Sequence, residues 1–413
     1  MSDATTAKKT PKLRFPGFSA KWRPLKLGEL GFFYRGHTYS ANNVRDNGLL
    51  VLRSSNIQGQ KLVTDRNLQF VNRDCSDKIT LKKHDVAICM ANGSKHLVGK
   101  AGEYLGNYHG KLTVGAFCSI FRSKIRLSRY LFQTIEYRKY LHIMLAGTNI
   151  SNLKNSELES LKFHFPILEV EQQKIAGFLG VVDDKISGLQ SKKELLEKYK
   201  KGVMQKIFSQ EIRFKDENGK DYPAWKETTL GECVTAIKNG LSLEQHNGIE
   251  GFKVTRIETI STNKINLGKV GHVNTTQDIQ EYKLRVGDML FSNINSPSQI
   301  GRTVYVDKDY NLYHGMNLLR IQVNESNNSK YLLYVMRSNK YKQYFERICN
   351  KAVNQASINQ TELKKTKITI PTLKEQEEIA DFLTTLDDKI NIAERKLEQA
   401  KTFKKALLQR MFV

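Results

Sequence analysis

The chain repeats itself. Arg14-Phe15, Trp22 and Leu27-Gly28-Glu29 return in the same order as Arg213-Phe214, Trp225 and Leu230-Gly231-Glu232, and each tryptophan stands five residues ahead of L-G-E. Arg53 and Asp85 return as Arg256 and Asp288, and Glu157-Leu158 and Pro166 as Glu362-Leu363 and Pro371. The run EQQKIAGFLGVVDDKI (171–186) returns as EQEEIADFLTTLDDKI (375–390). An offset that stays near 204 over this length marks a tandem duplication, and a repeat of about 200 residues is too long for a solenoid unit. The 413 residues are therefore two copies of a domain plus its connector.

Each copy has a mixed part followed by a helical part. Short β-branched and aromatic runs such as LLVLRSSNI, KLTVGAFCSIF, TVYVDK and LLRIQV are broken by Asn, Gly and Asp turns. They alternate with helical stretches such as SRYLFQTIEYRKYLHIML and SKYLLYVMRSNKYKQYFERI, which gives an α+β class for each copy. The expected plan is a flexible N-terminus at 1–12, mixed domains at 13–170 and 211–373, and helices at 171–210 and 374–413.

The helical parts carry an apolar stripe in steps of four and three. In the first it is Ile175, Leu179, Val182, Ile186, Leu189, Lys193, Leu196, Lys200, Val203 and Ile207. In the second it is Ile379, Leu383, Leu386, Ile390, Ala393, Leu397, Ala400, Lys404, Leu407 and Met411. Such a/d spacing is a coiled-coil seam. The plainer reading packs each stripe on its own domain, but two matched seams are most simply explained by each other. About 35 residues at 1.5 Å per residue make rods of roughly 50 Å. Antiparallel pairing would relate the copies by a pseudo-two-fold axis, although the sequence leaves the direction open. The paired acids Asp183-Asp184 and Asp387-Asp388 sit beside seam positions and read as helix-surface charge.

Charge narrows the partner. Lys and Arg number 66 against 42 Asp and Glu, a net charge of +24, with an isoelectric point near 9.6. Positive residues spread along the whole chain favour a nucleic acid over an anionic membrane, which would call for a concentrated basic cluster. No run approaches the 18 or so apolar residues of a spanning helix. Five widely spaced cysteines without C-x-x-C fit a reducing cytoplasm better than a disulfide scaffold.

Catalytic patterns are missing. GSKHLVGKA (93–101) has five residues between its glycines and Ala101 where a phosphate loop needs a hydroxyl, and its counterpart INSPSQIGRT lacks the first glycine. There is no N-P-P-Y or D-P-P-Y, no Pro-Asp ahead of E-x-K, and no metal-ligand spacing among the nine histidines. The expectation is a binding protein without catalytic or metal-ligating residues.

Taken together, these residues resemble the specificity subunit of a type I restriction-modification enzyme. The W-x-x-x-x-L-G-E openings and the P-x-x-x-E-Q-x-x-I-A signatures carry the likeness over nearly the whole chain, with one extra residue between Pro166 and Glu171. The resemblance implies two target-recognition domains, each reading one half of a bipartite, asymmetric site in double-stranded DNA. It implies an antiparallel coiled coil that sets the spacer and docks two modification subunits of the adenine-N6 methyltransferase kind. Two ATP-driven restriction subunits would complete the nuclease. S-adenosylmethionine, ATP and magnesium would be used by those partners and no cofactor by this chain.

Base edges are read by bidentate Arg, Asn and Gln, and phosphates are held by Lys and Arg. The candidate readers of the first copy are Arg53, Ser54, Ser55 and Asn56, then Asn92, Ser94, Lys95 and His96, and Asn149 with Asn152. Those of the second are Arg256 and Glu258, then Asn293, Asn295, Ser296 and Gln299, and Asn354, Gln355 and Asn359. Asn- and Ser-rich loops are also plain turns. These loops, however, differ between copies while their flanks agree, as domains reading different sequences would. Tyr108, His109, Tyr313 and His314 read equally well as core-edge aromatics. Two other classes stay open: a coiled-coil adaptor bridging proteins without sequence-specific DNA reading, and an enzyme with an unrecognised site.

Overall fold

A computed structural model describes residues 10–146, 152–352 and 355–413. They form two compact units, one of the described residues up to 189 together with 395–413 and the other of those from 190 to 394. Each long helix is divided between the two units.

In the first unit a six-stranded sheet runs Gly31–Arg35, Cys118–Ser123, Val86–Cys89, Ala101–Glu103, Lys61–Leu62 and Ile57–Gln58 in spatial order. A four-stranded sheet runs Leu112–Val114, Leu49–Leu52, Phe70–Val71 and Val44–Arg45. Strand Val86–Cys89 is buried on both faces, and its alternation separates two cores. Val86 and Ile88 enter the core containing Trp22, Phe121 and Tyr130, while Ala87 and Cys89 enter the one containing Leu50, Leu52 and Ile120.

The second unit repeats this logic with other strands. Its four-stranded sheet runs Val234–Asn239, Leu319–Val323, Met289–Phe291 and Thr303–Tyr305. Met289 and Phe291 face the core containing Leu230, Tyr331 and Phe345, and Leu290 faces the one containing Ile260 and Val304. Three further strands, Ile294–Asn295, Gln355–Ser357 and Asn350–Ala352, form a separate sheet.

The sequence motifs are the clamps between each mixed domain and its helices. The long helices are Glu169–Phe208 and Leu373–Met411. Glu171 is fully buried and accepts from Arg14 Nε at 2.6 Å, Arg14 Nη2 at 2.8 Å and Trp22 Nε1 at 3.2 Å. Glu375, equally buried, accepts from Arg213 Nε at 3.2 Å, Arg213 Nη2 at 2.7 Å and Trp225 Nε1 at 3.2 Å. The next residue closes the turn: Gln172 Nε2 donates to the Pro166 carbonyl at 2.7 Å, and Gln376 Nε2 to that of Pro371 at 3.1 Å. The extra residue after Pro166 is absorbed without losing this bond. In L-G-E the glutamate caps its own turn, Glu29 accepting from Lys26 N at 2.6 Å and Glu232 from Thr229 N at 2.9 Å. The glycine gives room, since a Cβ on Gly28 would stand 3.2 Å from Glu159 and one on Gly231 3.2 Å from the Lys364 carbonyl.

The seam divides likewise. Ile175, Leu179, Val182 and Ile186 share a core with Leu397, Leu407 and Met411 in the first unit, with Leu189 and Ala400 at its edge. Ile207, Ile379, Leu383 and Leu386 share the core of the second, with Val203 at its edge. Ala393 is buried, whereas Leu196 and Ile390 are only partly covered.

In the second unit Lys193 pairs with Glu394 and Lys200 with Asp387, at 3.5 and 2.6 Å, so the helix segments there run antiparallel. The reading of the paired acids as helix-surface charge needs correction for one acid of each pair. Asp183 accepts from Tyr130 Oη at 3.0 Å and pairs with Lys404 at 2.6 Å. Asp387 accepts from Tyr334 Oη at 2.7 Å and pairs with Lys200 at 2.6 Å. The polar seam positions Lys200 and Lys404 thus have fixed partners, while Asp184 and Asp388 remain exposed.

Candidate nucleic-acid interface

In the first unit the loops after strands Leu49–Leu52 and Val86–Cys89 come together around a cleft of about 810 Å³. Arg53, Ser54, Asn92 and Asn152 line it, joined by His37, Tyr39 and Phe117. Asn92 is oriented from two sides: its Nδ2 donates to Ser54 Oγ at 3.2 Å, and its Oδ1 accepts from Ser94 N at 2.9 Å. Asn152 is exposed and its backbone bridges Ala91. Arg53, Ser55, Ser94, Lys95 and His96 are exposed around these loops. Burial and Arg73 lower the His37 imidazole, against the pull of Asp74. Cys118, also in the lining, has its thiol pushed up to about 12 by burial, so it is not a nucleophile at neutral pH.

Asn56 is a correction. It is 1% exposed; its Nδ2 donates to the Val63 carbonyl at 3.3 Å and the Arg66 carbonyl at 3.0 Å, and its Oδ1 accepts from Arg53 N at 2.9 Å. Its amide is consumed in holding the loop, which leaves nothing for a base edge.

The second unit repeats the oriented amide. Asn295, one repeat after Asn92, donates through Nδ2 to Ser292 Oγ at 3.0 Å and accepts through Oδ1 from Ser296 N at 2.8 Å. Ser296 and Glu258 are exposed, and Gln299 Oε1 accepts from Arg302 Nη2.

Three more candidates are corrected here. Arg256 does not match the exposed Arg53, because its Nε donates to Gln245 at 2.9 Å and its Nη1 to Asn247 at 2.6 Å. Asn359 caps the helix Gln360–Lys364, accepting from Glu362 N at 2.8 Å. Asn293 is 8% exposed, its backbone carbonyl accepting from Ile358 N at 2.9 Å while its side-chain Oδ1 is buried without a hydrogen-bond partner. His314 and Tyr313 are core residues, the imidazole of His314 donating from Nε2 to the Leu318 carbonyl at 2.9 Å. Tyr108 is packed at a core edge and His109 is exposed. Asn149 and Asn354 lie outside the described residues, as does the side chain of Gln355, whose backbone lies in a strand.

Sequence reasoning missed His37, Tyr39 and Phe117. Phe117 falls inside KLTVGAFCSIF, which reads as one strand run, but the strand breaks between Val114 and Cys118. Gly115 in the middle of that run is the signal that could have revealed the turn.

Among the described residues no group of three or more His, Cys, Asp or Glu could hold a metal ion. Among them, too, no helix is long and apolar enough to cross a membrane. The arrangement in both units is therefore polar loops with oriented amides on a scaffold of short strands, suited to reading hydrogen-bond edges.

Comparison with known proteins defines the class. The family description "Type I restriction modification DNA specificity domain" matches twice, over residues 20–198 and 223–402. The chain belongs to this family. A Methanocaldococcus jannaschii chain named for the specificity subunit of type I restriction enzyme MjaX is 39% identical over 214 residues, covering 51% of this chain and 50% of that one. The specificity subunit of type I restriction enzyme StySPI from Salmonella potsdam is 24% identical over 407 residues, covering 94% and 87%. The fold matches the crystal structure of a type I restriction-modification S subunit from M. genitalium, with a TM-score of 0.60 at 15% identity, over 98% of this chain and 99% of that one.

Proposed function

We propose that this chain is the DNA sequence-recognition subunit of a type I restriction-modification complex, each unit reading one half of a bipartite, asymmetric site. The observation that carries this reading is the matched pair Asn92 and Asn295, each oriented by a serine hydroxyl and a backbone N–H in segments that otherwise differ between the copies. An amide fixed in this way suits adenine, whose N6 and N7 take one donor and one acceptor. A net charge of +24 supports the phosphate contacts that position such a complex.

The long helices set the spacer and dock two modification subunits of the adenine-N6 methyltransferase kind, and two ATP-dependent restriction subunits complete the assembly. The chain itself carries no catalytic step; S-adenosylmethionine, ATP and magnesium belong to its partners. The family match favours this reading over the adaptor.

The test is a methylome from cells carrying the matching modification subunit with and without this chain. A split adenine-methylation motif appearing only with the chain is expected. Asn92→Ala is expected to relax one half of that motif and Asn295→Ala the other. No new motif, with the two proteins shown to associate, would leave the adaptor reading in place.

A further inference from the structure

We propose that Phe117 is a wedge that enters a base step of the half-site read by the first unit and partly unstacks it. The inference rests on the reading of that unit as a DNA half-site reader. Phe117 is 73% exposed although it belongs to a turn whose backbone is held on several sides. Gly115 N donates to the Leu52 carbonyl at 2.9 Å and Cys118 N to that of Gly115 at 2.8 Å. The Phe117 carbonyl accepts from both Met90 N at 2.8 Å and Ala91 N at 3.2 Å. A phenyl ring held out in water on a rigid turn gains from any apolar partner and loses little backbone freedom in meeting one.

The surroundings select the partner. The ring borders the same cleft as Arg53 and Asn92, a guanidinium and an oriented amide suited to base edges. The buried Nε2 of His37, which lines that cleft, has no hydrogen-bond partner, so a polar group is wanted there as well. An apolar ring beside polar edge-readers fits a base pair, which is apolar on its faces and polar at its rim. Apolar side chains inserted between base steps are a known way for proteins to deform DNA. The corresponding turn of the second unit is Gly315-Met316-Asn317, which holds no aromatic ring; its exposed apolar side chain is Met316.

The test uses the full chain and duplexes carrying its own methylation motif, with 2-aminopurine replacing in turn each adenine of either strand within and beside the two half-sites. Binding of the unaltered chain is expected to raise fluorescence at one step of the first half-site. Phe117→Ala is expected to abolish that rise and weaken binding about tenfold or more, a single stacking contact being worth roughly 5- to 150-fold. Phe117→Trp should stay within about threefold of the unaltered chain. Because the ring is exposed, both variants are expected to melt as the unaltered chain does. No fluorescence rise at any step, or Phe117→Ala binding within twofold, would overturn the wedge while motif preference left the recognition reading standing. An unaltered chain that binds motif and scrambled duplexes equally would remove both.

Discussion

At the residue scale, two asparagines that look alike in sequence do opposite work. Asn56 and Asn92 both follow a strand in an Asn/Ser-rich loop, yet Asn56 is sealed inside its loop and Asn92 faces a cleft. Residue type and spacing bring both to notice, but only the path of segment 63–67, whose carbonyls take the Asn56 amide, tells them apart. Arg53 and Arg256 diverge for a similar reason, since Gln245 and Asn247 occupy the second guanidinium. A buried histidine gives the residue-scale prediction. Burial pushes His314 down to about 4 from its usual 6.5, so the folded second unit holds it neutral. The unfolded chain takes up that proton first; the stability tied to the neutral form is therefore complete above pH 6.5 and is lost as pH falls towards 4. Thermal melts are expected to show a loss of order 2–3 kcal/mol across that window, and His314→Gln to flatten the profile. An unchanged profile in the variant would assign the acid sensitivity to other groups.

At the scale of the elements, much was legible. The two long helices and the α+β class follow from periodicity and turn residues, and the observed helix ends fall within two residues of the expected ones. The motifs were visible too, but their reason was not: Arg14, Trp22 and Glu171 are separated by up to 157 positions and meet only in the folded chain. The acids beside the seam were misread because Tyr130 and Tyr334, which fix Asp183 and Asp387, come from the preceding mixed domains. Removing a buried charge partner leaves the other charge stranded, which costs more than the pair itself contributes. Glu171→Ala is accordingly expected to destabilise the first unit by about 3 kcal/mol, and Glu375→Ala the second by a similar amount. Urea midpoints of the full chain measure this, and a shift below about 0.5 kcal/mol would show that the clamp is not needed.

At the scale of the whole molecule, duplication was the most legible property, while the make-up of each unit rests on contacts that no local pattern carries. The seam pattern says that residues 395–413 are helical, but not that they complete the first unit. There Phe412 packs edge-on against Trp22, with ring centroids 6.3 Å apart, and Leu13 N donates to the Arg410 carbonyl at 2.8 Å. Deleting residues 395–413 is therefore expected to destabilise the distant first unit and spare the second. Hydrogen exchange of the truncated chain checks this: faster exchange in Val86–Cys89 with Met289–Phe291 still protected is the expected pattern. The reverse pattern would contradict the division.

That shared unit also imposes an order on biosynthesis. A ribosome releases residues 190–394 before it releases 395–413, so the unit made later in the chain has all its parts first. The unit begun first must wait for residues 395–413 to emerge. A product that stops between residues 394 and 413 would have a complete second unit and a first-unit core around Trp22 that lacks Leu407, Met411 or Phe412.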